Sequence, residues 1–450
     1  MTRSALCRLA RFVVDDPLMP DPDTLAVLRD GVIDTLGCIL AGVRTEVAFK
    51  TRAAVQAMSV EGGAEVLGAK MTTSRPHAAF LNAVAGHALD FDDWELPGNT
   101  HPTVVLFPAM LAVMGTRATG RDLAQAYLAG FEVIARLGEA LNFEHYDAGW
   151  HSTATFGAPA AAAACARLMG LDASETTHAM SLSISAIGGY TCQFGSNAKP
   201  VQAGFAARAG VEAACLARAG VTGQAHVLDH ERGQAVLMGG LVPDRLQAAL
   251  GKLGTGYALA EYGLVLKPWP SCGYTHRIMT CARRLYGRID PTKITAIDLY
   301  VPDFHAAVLP FVQPRSIPEA LFSLPFVAAM GLVNGNLTHA DLTQQAWKKP
   351  MIERLIGKSR VHAFAPNQSV QNYSAKDPDR LVVTFQDGQI IEESCSFPTG
   401  APQSPMSQSQ LWEKFAANTG PVPESWVEKL RIWPELPAVS SLFCRQGEYA

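Results

Sequence analysis

The candidate chemistry of this chain is concentrated in one stretch, Gly86-His87-Ala88-Leu89-Asp90-Phe91-Asp92-Asp93, followed by a Pro97-Gly98-Asn99 turn and Thr100-His101-Pro102. Three carboxylates and two imidazoles gather there, at the end of the apolar helix that Ala78 to Ala85 predicts. A solvated charge run would sit on a polar face, whereas polar groups at the end of a helix that packs on nearly every side are set against a cavity. Four further segments hold polar groups that folding alone does not require. They are Gly149-Trp150-His151-Ser152-Thr153, Gly195-Ser196-Asn197-Ala198-Lys199-Pro200, Lys267-Pro268-Trp269-Pro270-Ser271-Cys272-Gly273-Tyr274-Thr275-His276 and Phe322-Ser323-Leu324-Pro325-Phe326. His151 precedes an almost wholly apolar helix, whose N-terminus favours anions.

His101, His151, Lys199 and Lys267 on one cleft would supply the cations that hold a polycarboxylate. Crowded cations lower one another's pKa values, which keeps one lysine or histidine neutral and able to act as a base. The same cluster would stabilise the enolate formed when a proton leaves the carbon α to a carboxylate, with Asp90 orienting a histidine or sharing its proton. Each residue also has a plainer reading: Asp92 and Asp93 as loop caps, His151 as a structural histidine, Lys199 and Lys267 as solvated loop lysines. Cys272 and His276 suggest a thiol nucleophile, but no third group is identifiable to orient the pair. His87, Asp90 and His101 are metal-ligand types at a spacing that matches no recognised ligand pattern, so no metal is expected.

The elements that must position these groups read mainly as helices. Leu25, Leu28, Val32, Leu36 and Ile39 form one stripe, opened by Asp21-Pro22 and closed by Gly42. Further helices are predicted from Pro102 to about Gly115, from Gly120 through Ala140, over 153–169 up to Gly170, after a cap at Asp172, and over 201–219 behind Pro200. After residue 267 the character changes. A strand is expected over Ile294 to Val301 and a hairpin over 381–391 around Asp387-Gly388, with helices at about 319–333 and 339–347 between them. The fold class is mainly α: a large all-helical domain over residues 1–267, a smaller α+β lid domain over 268–400, and C-terminal helices over 401–450 that pack back on the first domain.

Hydrophobic residues make up 48% of the 450 and charged ones 17%, a balance that points to apolar surface buried between subunits. The formal net charge of −4 advertises no nucleic-acid face. The longest apolar stretch, around Ala158 to Ala166, is too short to span a bilayer. Arg3, Arg8 and Arg11 lie in what reads as a first helix rather than a targeting segment. Nine scattered cysteines, from Cys7 to Cys444, include no CxxC pair and suit reduced thiols in the cytoplasm.

Together the segments resemble the MmgE/PrpD family, whose members include 2-methylcitrate dehydratase, cis-aconitate decarboxylase and iminodisuccinate epimerase. The likeness covers most of the chain. It is carried by His87 to Asp93 with His101-Pro102, Gly130-Phe131-Glu132-Val133 with Arg136, His151, Lys199-Pro200, Gly220-Val221-Thr222-Gly223, Lys267 to Cys272 with Thr275-His276, and Phe322 to Pro325. The resemblance implies a helical domain with a lid, a homodimer, a small di- or tricarboxylate substrate, and no metal or organic cofactor. It places active-site positions on Asp90, His101, His151, Lys199 and Lys267, with Asp93, Trp94, Ser271, His276 and Phe326 as expected substrate contacts. Trp94 stands where decarboxylase-like members have a threonine, and Phe326 where they have a tyrosine. Both changes remove a hydroxyl that could serve as a general acid, so the sequence leans toward an epimerase; dehydration is the next reading, then decarboxylation, then carboxylate binding without catalysis.

Overall fold

A computed structural model describes residues 4–239, 242–366 and 372–443; Arg3 and Cys444 lie outside them. The helix Pro22–Gly42 is capped by Asp21, whose carboxylate accepts from the Thr24 amide, with Pro22 at the first-turn position. Gly120–Leu141 and Ala173–Ile184 open on capping boxes at Thr119 and Asp172, each satisfying two otherwise orphaned amides. Gly170 closes Gly157–Met169 in the left-handed conformation that only glycine adopts freely.

Gly157–Met169 is alanine-rich for a packing reason. A Cβ on Gly210 of the helix Ala198–Arg218 would fall 2.4 Å from the Ala161 Cβ and 2.8 Å from the Ala162 nitrogen. A Cβ on Gly130 would meet the Ala160 carbonyl at 3.1 Å. Small residues therefore let three backbones approach closely, and the N-termini of Ser152–Thr155 and Ala198–Arg218 bring His151 and Lys199 toward one point. Apolar side chains of these helices form one buried cluster, and Cys38 and Ala41 together with residues from Leu89 to Ala401 form a second.

A short antiparallel hairpin, β1 (Ala64–Val66) and β2 (Met71–Thr73), interrupts the region expected to be wholly helical. Asn82 ties it to the helix Arg75–His87: its Oδ1 accepts from the Leu67 amide at 2.8 Å and its Nδ2 donates to the Glu65 carbonyl at 3.0 Å. Three-residue strands are too short for an alternating pattern to register. The second sheet has the order β4-β3-β5-β6, with β3 (Ile294–Pro302) parallel to β4 (Ser359–Phe364) and antiparallel to β5 (Asp379–Phe385), which pairs with β6 (Ile390–Cys395). The strand and hairpin expectations correspond to β3, β5 and β6. The helix expected over 339–347 is two 3-10 turns, His339–Asp341 and Ala346–Lys348, followed by a helix at Pro350–Gly357. The helix Gln408–Thr419 returns to pack on Pro22–Gly42, with Leu411 and Phe415 in the first cluster. Among the described residues every cysteine is free, and no helix is long and apolar enough to cross a membrane.

Candidate active site

Asp90 lies just past the C-terminal end of Arg75–His87, with φ at +47°. A left-handed backbone costs a residue with a Cβ about 1 kcal/mol, and aspartate tolerates it better than most. Two lysines hold it there. Lys199 Nζ is 2.8 Å from Asp90 Oδ2, while Lys267 Nζ donates to Oδ1 and, at 2.9 Å, to the Asp90 carbonyl. Lys199 Nζ lies over the rings of Phe194 and Phe322, 5.4 and 5.5 Å from their centroids, and the two rings pack on each other with centroids 5.4 Å apart. Lys267 is fully buried behind Asp90.

Hydrogen bonding fixes the protons around this pair. Lys199 Nζ lies 2.9 Å from His87 Nε2, and an ammonium only donates, so Nε2 is the accepting nitrogen. Nδ1 then carries the hydrogen and donates to Asp92, at 2.9 Å. His101 stands edge-on to His87, with Nδ1 3.1 Å from Asp92 Oδ2, off the line of a good hydrogen bond, and Nε2 3.9 Å from Asp90 Oδ1. At His151, Nδ1 lies 2.7 Å from Gln202 Oε1, and Gln202 Nε2 donates to the Tyr190 carbonyl. The amide orientation thereby assigns a hydrogen to His151 Nδ1 and a lone pair to Nε2.

The charge states follow from burial and these neighbours. Burial holds His101 down to about 3, with Lys267, Lys199 and His87 adding to its effect and Asp92 opposing it. His151 is held well below the ordinary imidazole range by burial, then by Lys199, His87 and His101. Burial pushes the Asp90 carboxyl up, but Lys199 and Lys267 outweigh it and hold Asp90 well below the carboxylate range. Burial likewise lowers the Lys267 ammonium, and Asp90 and Asp92 more than reverse it. Of the two groups expected to be kept neutral by crowded cations, lysine or histidine, it is the histidines that are lowered, whereas Lys267 is raised because carboxylates are interleaved with the cations.

These groups border a cavity lined by Asp90, Trp94, His101, His151 and Lys199 from the sequence expectation. Tyr146, Tyr274, Asn99 and Cys272 add further polar groups to the lining. Four expected contacts are not in it. Asp93 faces the helical core, where its carboxylate accepts from the Thr103 hydroxyl and amide, and burial raises it well above the carboxylate range. Ser271 bonds Thr275 at 2.8 Å and lies 3.4 Å from His276 Nε2, and the His276 ring packs on Trp269. That geometry also occupies His276 away from Cys272, whose thiol burial pushes up to about 12. Phe326 is fully buried in the second apolar cluster.

His87, Asp92 and His101 offer donor atoms within 4.8 Å of one another, the type of set a metal could use. They do not fit one as arranged, because His87 commits one nitrogen to Asp92 and the other to an ammonium.

Two family models match the chain. The MmgE/PrpD N-terminal domain matches residues 7–244 and the MmgE/PrpD C-terminal domain residues 269–432. The chain belongs to the MmgE/PrpD family. Its relatives include the human cis-aconitate decarboxylase, 28% identical over 86% of this chain and 82% of that protein. The mouse cis-aconitate decarboxylase is 27% identical over 86% and 80%, and that of Aspergillus terreus 25% identical over 93% and 89%.

In this MmgE/PrpD chain Phe326, expected from the resemblance to mark a missing hydroxyl at the site, belongs to the core rather than the cavity. Phe326→Tyr is expected to change kcat less than twofold and to lower Tm, because a hydroxyl enters a site with no partner. Thermal melting together with initial rates checks both halves.

Proposed function

We propose that this chain is a lyase that removes CO2 from an unsaturated tricarboxylate of the cis-aconitate type. The observation that carries the proposal is the convergence of the Lys199 ammonium with two neutral imidazoles and two tyrosine hydroxyls on one cavity. The decarboxylase relatives favour the same reading. The leaning toward an epimerase rested on missing hydroxyls, and its premise is weakened by Phe326 lying outside the lining while Tyr146 and Tyr274 lie within it.

The chemistry is as follows. The bond from the saturated arm of cis-aconitate to its carboxylate breaks, CO2 leaves, and the electron pair forms a new double bond. The pair of the old double bond moves to the carbon beside a remaining carboxylate, and that carbon takes a proton. Lys199 stabilises the charge that grows on this carboxylate, in a site with little water to screen it. The proton comes from a lining donor, for which Lys199, Tyr146 and Tyr274 are the candidates. Asp90, held by Lys267, pairs with Lys199 and keeps it in place. The reading includes a boundary near residue 268 and assembly as a homodimer; a monomer in sedimentation would count against the latter.

The test is incubation of the enzyme with cis-aconitate in D2O, followed by CO2 release and proton NMR. Release of CO2 with one deuterium in the dicarboxylate product supports the lyase. Unconsumed cis-aconitate, or deuterium exchange without CO2, overturns it. The acid limb of the pH profile is a second check. Because His101 and His151 stay neutral, kcat/KM corrected for substrate ionisation is expected to hold its plateau to below pH 5, rather than falling at the ordinary imidazole value of 6.5. A limb at 6.5 would contradict the assigned charge states.

A further inference from the structure

We infer that Lys414, on the returning helix Gln408–Thr419, is a positioning residue for the reaction and acts through the carbonyl of Phe91. This rests on the lyase reading for its activity readout and on geometry for its substance. Lys414 Nζ donates to the Phe91 carbonyl at 2.7 Å and lies 3.9 Å from the Phe91 ring centroid. Its counter-charge is Asp34 of Pro22–Gly42, 2.6 Å away, and both side chains are at most 5% exposed.

Phe91 is the residue between the two functional aspartates. On one side is Asp90, in its left-handed conformation and paired with Lys199 and Lys267; on the other is Asp92, bonded to His87. Lys267 holds the Asp90 carbonyl, and Lys414 holds the next carbonyl along. Two buried ammonium groups thus grip consecutive peptide units of a strained turn, one from each flank. A sub-ångström error in that turn would move both carboxylates, and with them the proton on His87 and the position of Lys199. The Asp34–Lys414 pair has no other evident use. Neither side chain lines the cavity bordered by Asp90 and Lys199, and at this buried position a pair of apolar side chains would stabilise the helix contact as well. Its asymmetry is informative, since Asp34 makes no side-chain hydrogen bond of good geometry while Lys414 bonds the catalytic loop.

Lys414→Met alone would strand a buried carboxylate and could unfold the helix contact, so the experiment uses the double variant Asp34→Asn/Lys414→Met, beside Lys414→Arg. The double variant removes both charges and the donor to Phe91, whereas arginine retains a donor and a cation. In the double variant kcat is expected to fall at least tenfold, with KM within threefold and the thermal transition still cooperative; Lys414→Arg should recover most of that loss. Amide exchange followed by mass spectrometry supplies a readout independent of any substrate. Exchange should quicken in the peptide spanning residues 86–95 and stay unchanged in Pro22–Gly42 and Gln408–Thr419. If wild type turns over no carboxylate, the lyase reading fails and the exchange result alone decides this inference. Full kcat in the folded double variant, or exchange that rises equally in the two helices, overturns it.

Discussion

Replacing Lys199 by methionine is expected to lower kcat by about 10²–10³-fold while leaving the protein folded. That range is typical for loss of one preorganised group aimed at developing charge. Lys199 is the lysine of the site that borders the cavity, and it alone touches Asp90, His87 and the rings of Phe194 and Phe322. The fold should survive because Asp90 keeps Lys267, and a methionine side chain can pack on the Phe194 and Phe322 rings as the lysine stem does. Arginine should not rescue activity: its planar guanidinium is wider than an ammonium in a buried position and is always charged, so it cannot transfer a proton. Single-turnover rates with saturating cis-aconitate, beside a thermal melt, provide the measurement. A loss below tenfold in a folded variant would mean that Lys199 only helps to bind substrate. In that case the loss should appear in KM rather than kcat.

The residues around Lys199 show how far a sequence carries such a prediction. Asp90, His101, His151 and Lys199 stood out because each is polar beside a segment with no polar face, and that contrast is local to the string. Direction is not. Asp92 and Asp93 are adjacent, yet one bonds His87 and lies 3.1 Å from His101 while the other turns into the helical core toward Thr103. Phe322 precedes the helix Leu324–Asn334 and reaches from the second apolar cluster to the cavity, whereas Phe326, inside that helix, is wholly buried in the cluster. Lys267 belongs to a layer behind the lining, which no spacing rule separates from the lining itself. Tyr146 was not legible at all. It sits in Glu144–Asp147, a single turn too short to have a period, and is carried to the cavity by its neighbours.

The helices were more legible than the strands for a related reason. Asp21-Pro22, Asp172 and Gly170 are chemical statements about helix ends, and the structure uses each as such. Strand β4 has no comparable signal. Its burial does not alternate along Ser359–Phe364, and its partner β3 ends nearly sixty residues earlier in the chain. Pairing at that distance is decided by which edge of the sheet is open, not by local pattern.

Asp90→Asn is expected to produce the largest loss of stability of any single exchange in the site. Asparagine keeps the shape and tolerates the left-handed backbone, so the change is almost purely one of charge. It leaves the buried ammonium of Lys267, and that of Lys199, without their principal counter-charge, and stranding a buried charge costs about 3–5 kcal/mol. The pH dependence separates this from an ordinary packing defect. In wild type, Asp90 is depressed below its unfolded value, so its contribution is present above about pH 4 and is lost as pH falls through the folded value. Lys267 is raised, so its contribution is complete below about pH 10 and is lost as pH rises through the folded value. Without Asp90, burial dominates at Lys267 and lowers its pKa, so the variant gains stability as pH rises toward 10. The two stability curves should therefore be furthest apart between about pH 5 and 8 and converge at both extremes. Urea unfolding of the two proteins from well below pH 4 to above pH 10 measures the gap. A gap that is constant with pH would point to a steric defect, and no gap at pH 7 would show that the lysines do not depend on Asp90 at all.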